Sequence, residues 1–328
     1  MSDINWSDAI TQARIALSDA KTPPYSTALE FSPFFSAGHQ CHIFLKHEHM
    51  QHTGSFKYRG ALNKLLNLTD SQQQAGIVVA STGNHAMACA FAAADLNIDA
   101  TVLVPESVDE CKLAQISRLG ANVMLVDGDC LAAETAAHAL AERENKTYVS
   151  PYNDVHVIAG QGTVGIELAQ QLPDLDAVFV AVGGGGLIGG VGHYLKSLHP
   201  HVDVIGCWPS SAPVMARCLE AGQVIEVAEQ ATLSDATAGN IEANALTFRL
   251  CQQVIDKHVL INEQQIATVI QQTLEHERQV IEGAAAVAIA GALSLSEQYA
   301  HKQVAVIVCG RNIAFSKLSS IVRQHANQ

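Results

Sequence analysis

Basic residues are scarce in this chain. Nineteen lysines and arginines stand against 32 aspartates and glutamates, giving a formal net charge of −13 over 328 residues. Such a chain has little with which to neutralise a run of phosphates, so no nucleic-acid partner is expected. No apolar run reaches the roughly 18 residues that suggest a membrane span, so none is expected. The opening stretch MSDINWSDAI is acidic where a signal peptide would be basic and then apolar, and no secretory leader is expected. Paired cysteines are missing too. The eight cysteines, at 41, 89, 111, 130, 207, 218, 251 and 309, form no CxxC and no metal-ligand spacing. They read as reduced thiols of a cytoplasmic protein.

Aromatic residues make up only 5% of the sequence, while hydrophobic residues reach 48% and charged ones 16%. That balance, rich in alanine and glycine, suits helices packed on sheets and is far from disorder. Short β-branched runs alternate with longer helical patterns. Strands are expected at 41–46, 75–81, 100–105, 122–128, 177–183, 203–208 and 304–310. Helices are expected at 57–68, 84–96, 106–120 and 130–146. This alternation predicts βαβ units and mostly parallel sheets. The strand-rich blocks before and after about residue 150 predict two α/β lobes, each large enough for its own core.

Four places carry unusual chemistry. In VAVGGGGLIGG (180–190) a strand runs through Gly183, Gly184, Gly185 and Gly186 into a helix. The loop is either a cradle of N–H groups for an anion such as phosphate or a tight strand–helix turn. It is read neither as a dinucleotide fingerprint nor as a P-loop. In TGSFKYRGALN (53–63), Lys57 follows Phe56 and opens a helix. Beside apolar packing, such a lysine can become a nucleophilic amine; most lysines are simply solvated. In ASTGNHAMA (80–88), Ser81, Thr82, Gly83, Asn84 and His85 offer groups that hold a carboxylate, or merely cap a helix. In IVCGRNI (307–313), Cys309 either meets a heteroaromatic nitrogen or is a small buried hydrophobe.

The ordered set SFK-RGA, S-x-GNH, AGQGT, GGGG, EGA and a last strand ending in C-G resembles the fold-type II pyridoxal-phosphate enzymes. It is most similar to the threonine/serine dehydratase and serine racemase family, from TPPYSTAL (22–29) to GRNI. The resemblance implies an α/β fold of two open, twisted, mostly parallel sheets flanked by helices, like the tryptophan synthase beta subunit. Residues 1–48 and 154–328 would form the large cofactor-binding domain and 49–153 a small mobile domain. It implies a homodimer, beside the absence of nucleic-acid and membrane partners expected from charge and hydropathy.

It also implies roles. Lys57 would form the Schiff base with pyridoxal 5'-phosphate and then move protons. Gly183 to Gly186, with Leu187, would bind the phosphate, and Phe56 would pack on the ring. Asn84 would bond the ring 3′-oxygen, Cys309 would face the ring nitrogen, and Glu282 would stand near the ring. Ser81, Thr82, Gly83, Asn84 and His85 would hold the carboxylate of a small amino-acid substrate. The reaction implied is removal of water and then ammonia from a β-hydroxy amino acid, serine, threonine or 3-hydroxyaspartate, to give a 2-oxo acid.

This sequence departs from the family pattern in places. Cys309 stands where serine or threonine is usual, and Arg311 where glycine is frequent; Arg311 would reach either an acidic substrate or a surface partner. Many relatives hold a divalent metal after the glycine loop, but the matching positions here are Trp208 and Val214, so no metal is expected there. Asp235 in DATAG (235–239) is read as structural, with Gly239 in a loop near the site. Thr82 replaces the serine of racemases, which leaves an amino-acid racemase as the alternative, ranked below elimination. A β-replacement synthase fits STGNHAMA less well, and a non-catalytic sensor would have little use for Lys57. No appended regulatory domain is expected after the last site strand.

Overall fold

The computed structural model describes residues 4–108 and 110–325. Asp109, inside the expected helix 106–120, and residues 1–3 of the opening stretch lie outside the described residues. Among the described residues ten strands build two sheets. β1 (Leu29–Phe31), β2 (His42–Lys46), β7 (Ala177–Ala181), β8 (Asp203–Pro209), β9 (Lys257–Ile261) and β10 (Gln303–Ile307) form the larger, in the order β1-β2-β10-β7-β8-β9. Only β1 runs antiparallel to its neighbour; Leu29 pairs with Lys46 and Phe31 with Phe44. The smaller sheet is wholly parallel, in the order β5-β4-β3-β6. Its strands are β3 (Ile77–Ala80), β4 (Ala100–Pro105), β5 (Asn122–Val126) and β6 (Thr147–Tyr148).

The inner strands are the ones that read most clearly as strands. β4 and β7 are buried along their whole length, as parallel strands covered on both faces must be. Helix Gly283–Ser294, with sequence GAAAVAIAGALS, is apolar on every side, and its residues 283–292 are all buried. A helix apolar all round has to be enclosed, and this one packs on β7, β8, β9 and β10.

Two glycine-bearing motifs turn out to be a helix crossing. Helix Lys57–Leu66 lies on helix Val155–Gln171, with Gly60 against Gly160. A Cβ on Gly160 would stand 2.6 Å from the Arg59 carbonyl oxygen and 2.7 Å from Gly60 Cα. Contact this close holds the helix that begins with Lys57 against the larger half of the molecule.

A buried ionic cluster lies under the same crossing. Arg59 Nε and Nη2 donate to Glu48 at 2.8 and 2.7 Å, and Nη1 donates to Glu167 Oε1 at 2.8 Å. Lys46 Nζ donates to the other Glu167 oxygen at 2.6 Å. All four side chains are buried; Thr27 also donates to Glu48, and the Thr163 hydroxyl also accepts from Arg59. Buried charges are tolerated when paired and bonded in this way.

Candidate active site

The parallel sheets place loop–helix junctions at the carboxyl ends of their strands, where ligands of open α/β sheets bind. There a cavity of about 330 Å³ opens. Every site residue expected from the sequence lines it: Phe56, Lys57, Ser81, Thr82, Gly83, Asn84, His85, Gly183, Gly184, Gly185, Gly186, Leu187, Glu282 and Cys309. Pro151, Tyr152, Asn312 and the 235–238 turn line it as well.

Lys57 is the first residue of its helix, set there by Phe56 at the N-cap. Its Nζ donates to the Pro151 carbonyl at 2.7 Å and stands 5.2 Å from the centre of the Phe56 ring. Burial lowers its pKa to about 8, against the opposing charge of the Glu282 carboxylate. An amine so placed exchanges its proton near neutral pH.

The glycine run leaves β7 and enters helix Gly186–Leu198, with Gly185 as N-cap at φ +85°. No side chain caps this helix. Its first N–H groups therefore border the cavity with no intrahelical partner, at the positive end of the helix dipole. Protein groups also demand these glycines. A Cβ on Gly184 would enter the Tyr152 ring, and one on Gly185 would stand 2.7 Å from Cys251 Sγ. Gly184, Gly186 and Gly189 do fall at the G-x-G-x-x-G spacing of dinucleotide folds, which the sequence reading passed over. The resemblance is one of packing: a Cβ on Gly189 would meet Leu250 at 2.7 Å.

The second junction joins β3 to helix Asn84–Leu96. Gly83 is the N-cap and no side chain caps the helix, so the cap reading of Ser81 and Thr82 does not describe it. Ser81 Oγ instead accepts from the Gly83 N–H at 3.3 Å. The His85 ring is engaged by the main chain that follows β6. Its Nε2 lies 2.9 Å from the Val149 carbonyl, which requires the Nε2–H tautomer. Burial, then the Lys57 charge, lowers its pKa to about 3, so the imidazole is neutral. Only the main chain of His85 is left to meet an anion.

Asn84, Glu282 and Asn312 form a closed ring of hydrogen bonds. Asn84 Nδ2 donates to Glu282, the Asn312 N–H donates to Glu282 Oε2 at 3.1 Å, and Asn312 Nδ2 donates to Asn84 Oδ1 at 2.6 Å. A Cβ on Gly310 would run into the Glu282 carboxylate, which explains the glycine after Cys309. Cys309 is buried, and burial followed by the Glu282 charge holds its thiol well above the usual range. It is a neutral thiol.

Other expectations have definite places. Trp208 is buried at the end of β8, and Val214 opens helix Val214–Ala221; neither offers a ligating atom. Asp235 lines the cavity and pairs with Lys317 at 3.0 Å. Gly239 is not among the lining residues; its N–H donates to Glu229. Arg311 is exposed, outside the lining, with Nη1 donating to Met50 Sδ at 3.1 Å.

Comparison with known proteins agrees with this geometry. The family described as pyridoxal-phosphate dependent enzyme matches residues 21–310. L-threonine ammonia-lyase of Thermotoga maritima is 39% identical over 304 residues, covering 93% of this chain and 75% of that protein. The processed form of threonine deaminase isoform 2 from Solanum lycopersicum superposes with a TM-score of 0.90 at 33% identity, covering 97% of this chain and 94% of that one. Maize serine racemase also gives 0.90, at 26% identity and 98% coverage of both chains. With the lysine, the glycine loop and the family match all in one cavity, the chain belongs to the pyridoxal-phosphate-dependent enzymes, with the fold-type II architecture of the threonine/serine dehydratases.

Proposed function

We propose that this chain is a dehydratase, an ammonia-lyase that removes water and then ammonia from a serine- or threonine-type amino acid to give a 2-oxo acid. The observation that carries the reading is the sharing of one cavity by the Lys57 amine and the uncapped helix behind Gly183–Gly186. An aldehyde that carries a phosphate needs both, and the volume suits a small cofactor. The likeness to L-threonine ammonia-lyase supports the same reading.

Bound pyridoxal phosphate supplies an electron sink that acidifies the Cα–H of an attached amino acid. The chain's own residues do the rest. N–H groups of Gly183 to Gly186 and Leu187 would hold the phosphate, and Phe56 would bound the ring. Asn84 and Glu282, locked together and to Asn312, would give the ring's oxygen side a fixed set of dipoles. Cys309, kept neutral, would leave a ring nitrogen beside it unprotonated, which suits prompt loss of a β-hydroxyl. Lys57, near its own pKa at neutral pH, would anchor the aldehyde and take the Cα proton. Ser81, Thr82, Gly83, Asn84 and His85 would receive the substrate carboxylate, His85 through its backbone.

Charge narrows the substrate. Among the described residues Lys57 is the single cationic side chain lining the cavity, His85 being neutral. With no second cation to meet a side-chain carboxylate, serine and threonine fit better than 3-hydroxyaspartate. The Thr82 hydroxyl in the lining keeps racemisation as the second reading. A panel of L- and D-β-hydroxy amino acids, assayed for 2-oxo acid and for inverted product, tests the assignment. Inversion faster than 2-oxo acid release would replace dehydratase by racemase.

The proposal extends to the whole molecule. Residues 49–153, which contain β3 to β6, are assigned as a small mobile domain, and residues 1–48 and 154–328 as the cofactor-binding domain. A cytoplasmic location, which seven described unpaired cysteines support, and a homodimer complete it.

A further inference from the structure

The segment Ser150-Pro151-Tyr152-Asn153-Asp154, between β6 and helix Val155–Gln171, touches both the Lys57 amine and the glycine loop. The Pro151 carbonyl accepts from Lys57 Nζ at 2.7 Å. Asp154 caps helix Val155–Gln171 and accepts from Lys64, on the helix that Lys57 opens, at 2.6 Å. Asn153 Nδ2 donates to Glu242 at 2.6 Å, and its Oδ1 accepts from the Leu246 N–H at 2.8 Å. Tyr152 occupies the centre. Its hydroxyl accepts from the Glu242 N–H at 2.9 Å. Its ring carbons are the nearest atoms to a Cβ built on Gly184, and its backbone lies 3.3 Å from one built on Gly186.

We infer that Tyr152 is a positioning residue for the anion cradle: its ring sets where the Gly184–Gly186 backbone stands relative to the Lys57 amine. The Pro151 carbonyl and Tyr152 are consecutive. The amine and the cradle are therefore both referenced to a single stretch of backbone, the amine by hydrogen bond and the cradle by ring contact. A ligand that carries an aldehyde and a phosphate at fixed separation needs that spacing held to a fraction of an ångström. Glycine at 184 is then required by the tyrosine as much as by the anion. The inference rests on the reading of this cavity as a pyridoxal-phosphate site.

The test compares two probes on the full chain freed of cofactor: pyridoxal phosphate, and pyridoxal, which keeps the aldehyde and lacks the phosphate. Gly184→Ala forces a methyl group into the ring and should weaken pyridoxal phosphate binding by about tenfold to a hundredfold. Tyr152→Ala should weaken it too, while pyridoxal changes by less than about threefold in either variant. Tyr152→Phe keeps the ring and should hold both affinities. In the double variant Gly184→Ala/Tyr152→Ala the two losses should not add, because removal of the ring relieves the clash. If Tyr152→Ala does not fold, Tyr152→Leu, which keeps apolar volume without a planar ring, replaces it. Equal losses for both probes, or full additivity in the double variant, overturns the positioning role. Failure of the unmutated chain to bind pyridoxal phosphate would remove the cofactor reading and the inference with it.

Discussion

Asn84 Nδ2 donates to both carboxylate oxygens of Glu282, at 2.8 and 3.0 Å, across 198 residues of sequence. A carboxylate accepts only, so it can serve the Asn84 amide and the Asn312 N–H together. Glu282→Gln puts an NH₂ group where one of those acceptors was, facing a donor. It should destabilise the chain by about 1–3 kcal/mol in urea denaturation. It also removes a charge that raises the Lys57 pKa, so the pH profile limb set by Lys57 should move down. An unchanged denaturation midpoint would show that the hydrogen-bonded ring contributes nothing.

Lys57 makes a second prediction in the absence of cofactor. Its pKa falls from 10.5 unfolded to about 8 folded, so between those values the unfolded chain binds more protons. Stability from this group is therefore lowest below pH 8 and rises as pH climbs towards 10.5. Comparison of cofactor-free protein with Lys57→Met at pH 7.5 and 9.5 isolates the effect. The gain at high pH should shrink in the variant, which should also lose turnover and the visible absorption of bound cofactor. A gain of equal size in both proteins would place the Lys57 amine in water.

Arg59 and Glu48 predict a large loss. Both are fully buried, joined at 2.7 and 2.8 Å, with Glu167 on the other arm of the guanidinium. Arg59→Met leaves the two buried carboxylates with Lys46 and, at the edge of the cluster, the partly exposed Arg14, which lies 3.4 Å from Glu167. The expected loss is about 3–5 kcal/mol, read from chemical denaturation at neutral pH. A loss under about 1 kcal/mol would mean that water reaches the cluster.

A chelator should leave turnover unchanged. The positions where many relatives carry metal-binding carboxylates hold Trp208 and Val214, both buried. A marked fall in rate that added magnesium or calcium restores would locate a cation elsewhere in the chain.

Particular residues explain how much of this was legible in advance. β3, β4, β7, β8 and β10 read clearly because both of their faces are covered, so their residues form unbroken apolar runs. β1 and β6, of three and two residues, are too short to show a period. β9 begins Lys257-His258 at a sheet edge, where polar side chains meet water, and so shows no unbroken apolar run. The site was legible wherever a motif combines side-chain chemistry with glycine, as in SFK-RGA and GGGG. Tyr152 and Asn312 were not, since their importance lies in partners far along the chain. The four consecutive glycines read as an anion cradle or a tight turn, and neither reading pointed to the Tyr152 ring that a Cβ on Gly184 would meet.

The order of strands in the larger sheet has a consequence for how the chain is made. β2 emerges early from the ribosome, with the short β1 along one edge, but its other edge pairs with β10, His42 with Gln303. Until β10 is synthesised, Ile43 and Leu45 have no finished core to enter. β7 likewise waits, one edge facing a gap that only β10 fills. The smaller sheet, by contrast, draws all its strands from one contiguous stretch and can close first. Synthesis thus leaves a sheet edge without its neighbour for most of translation, the kind of edge that invites wrong pairing.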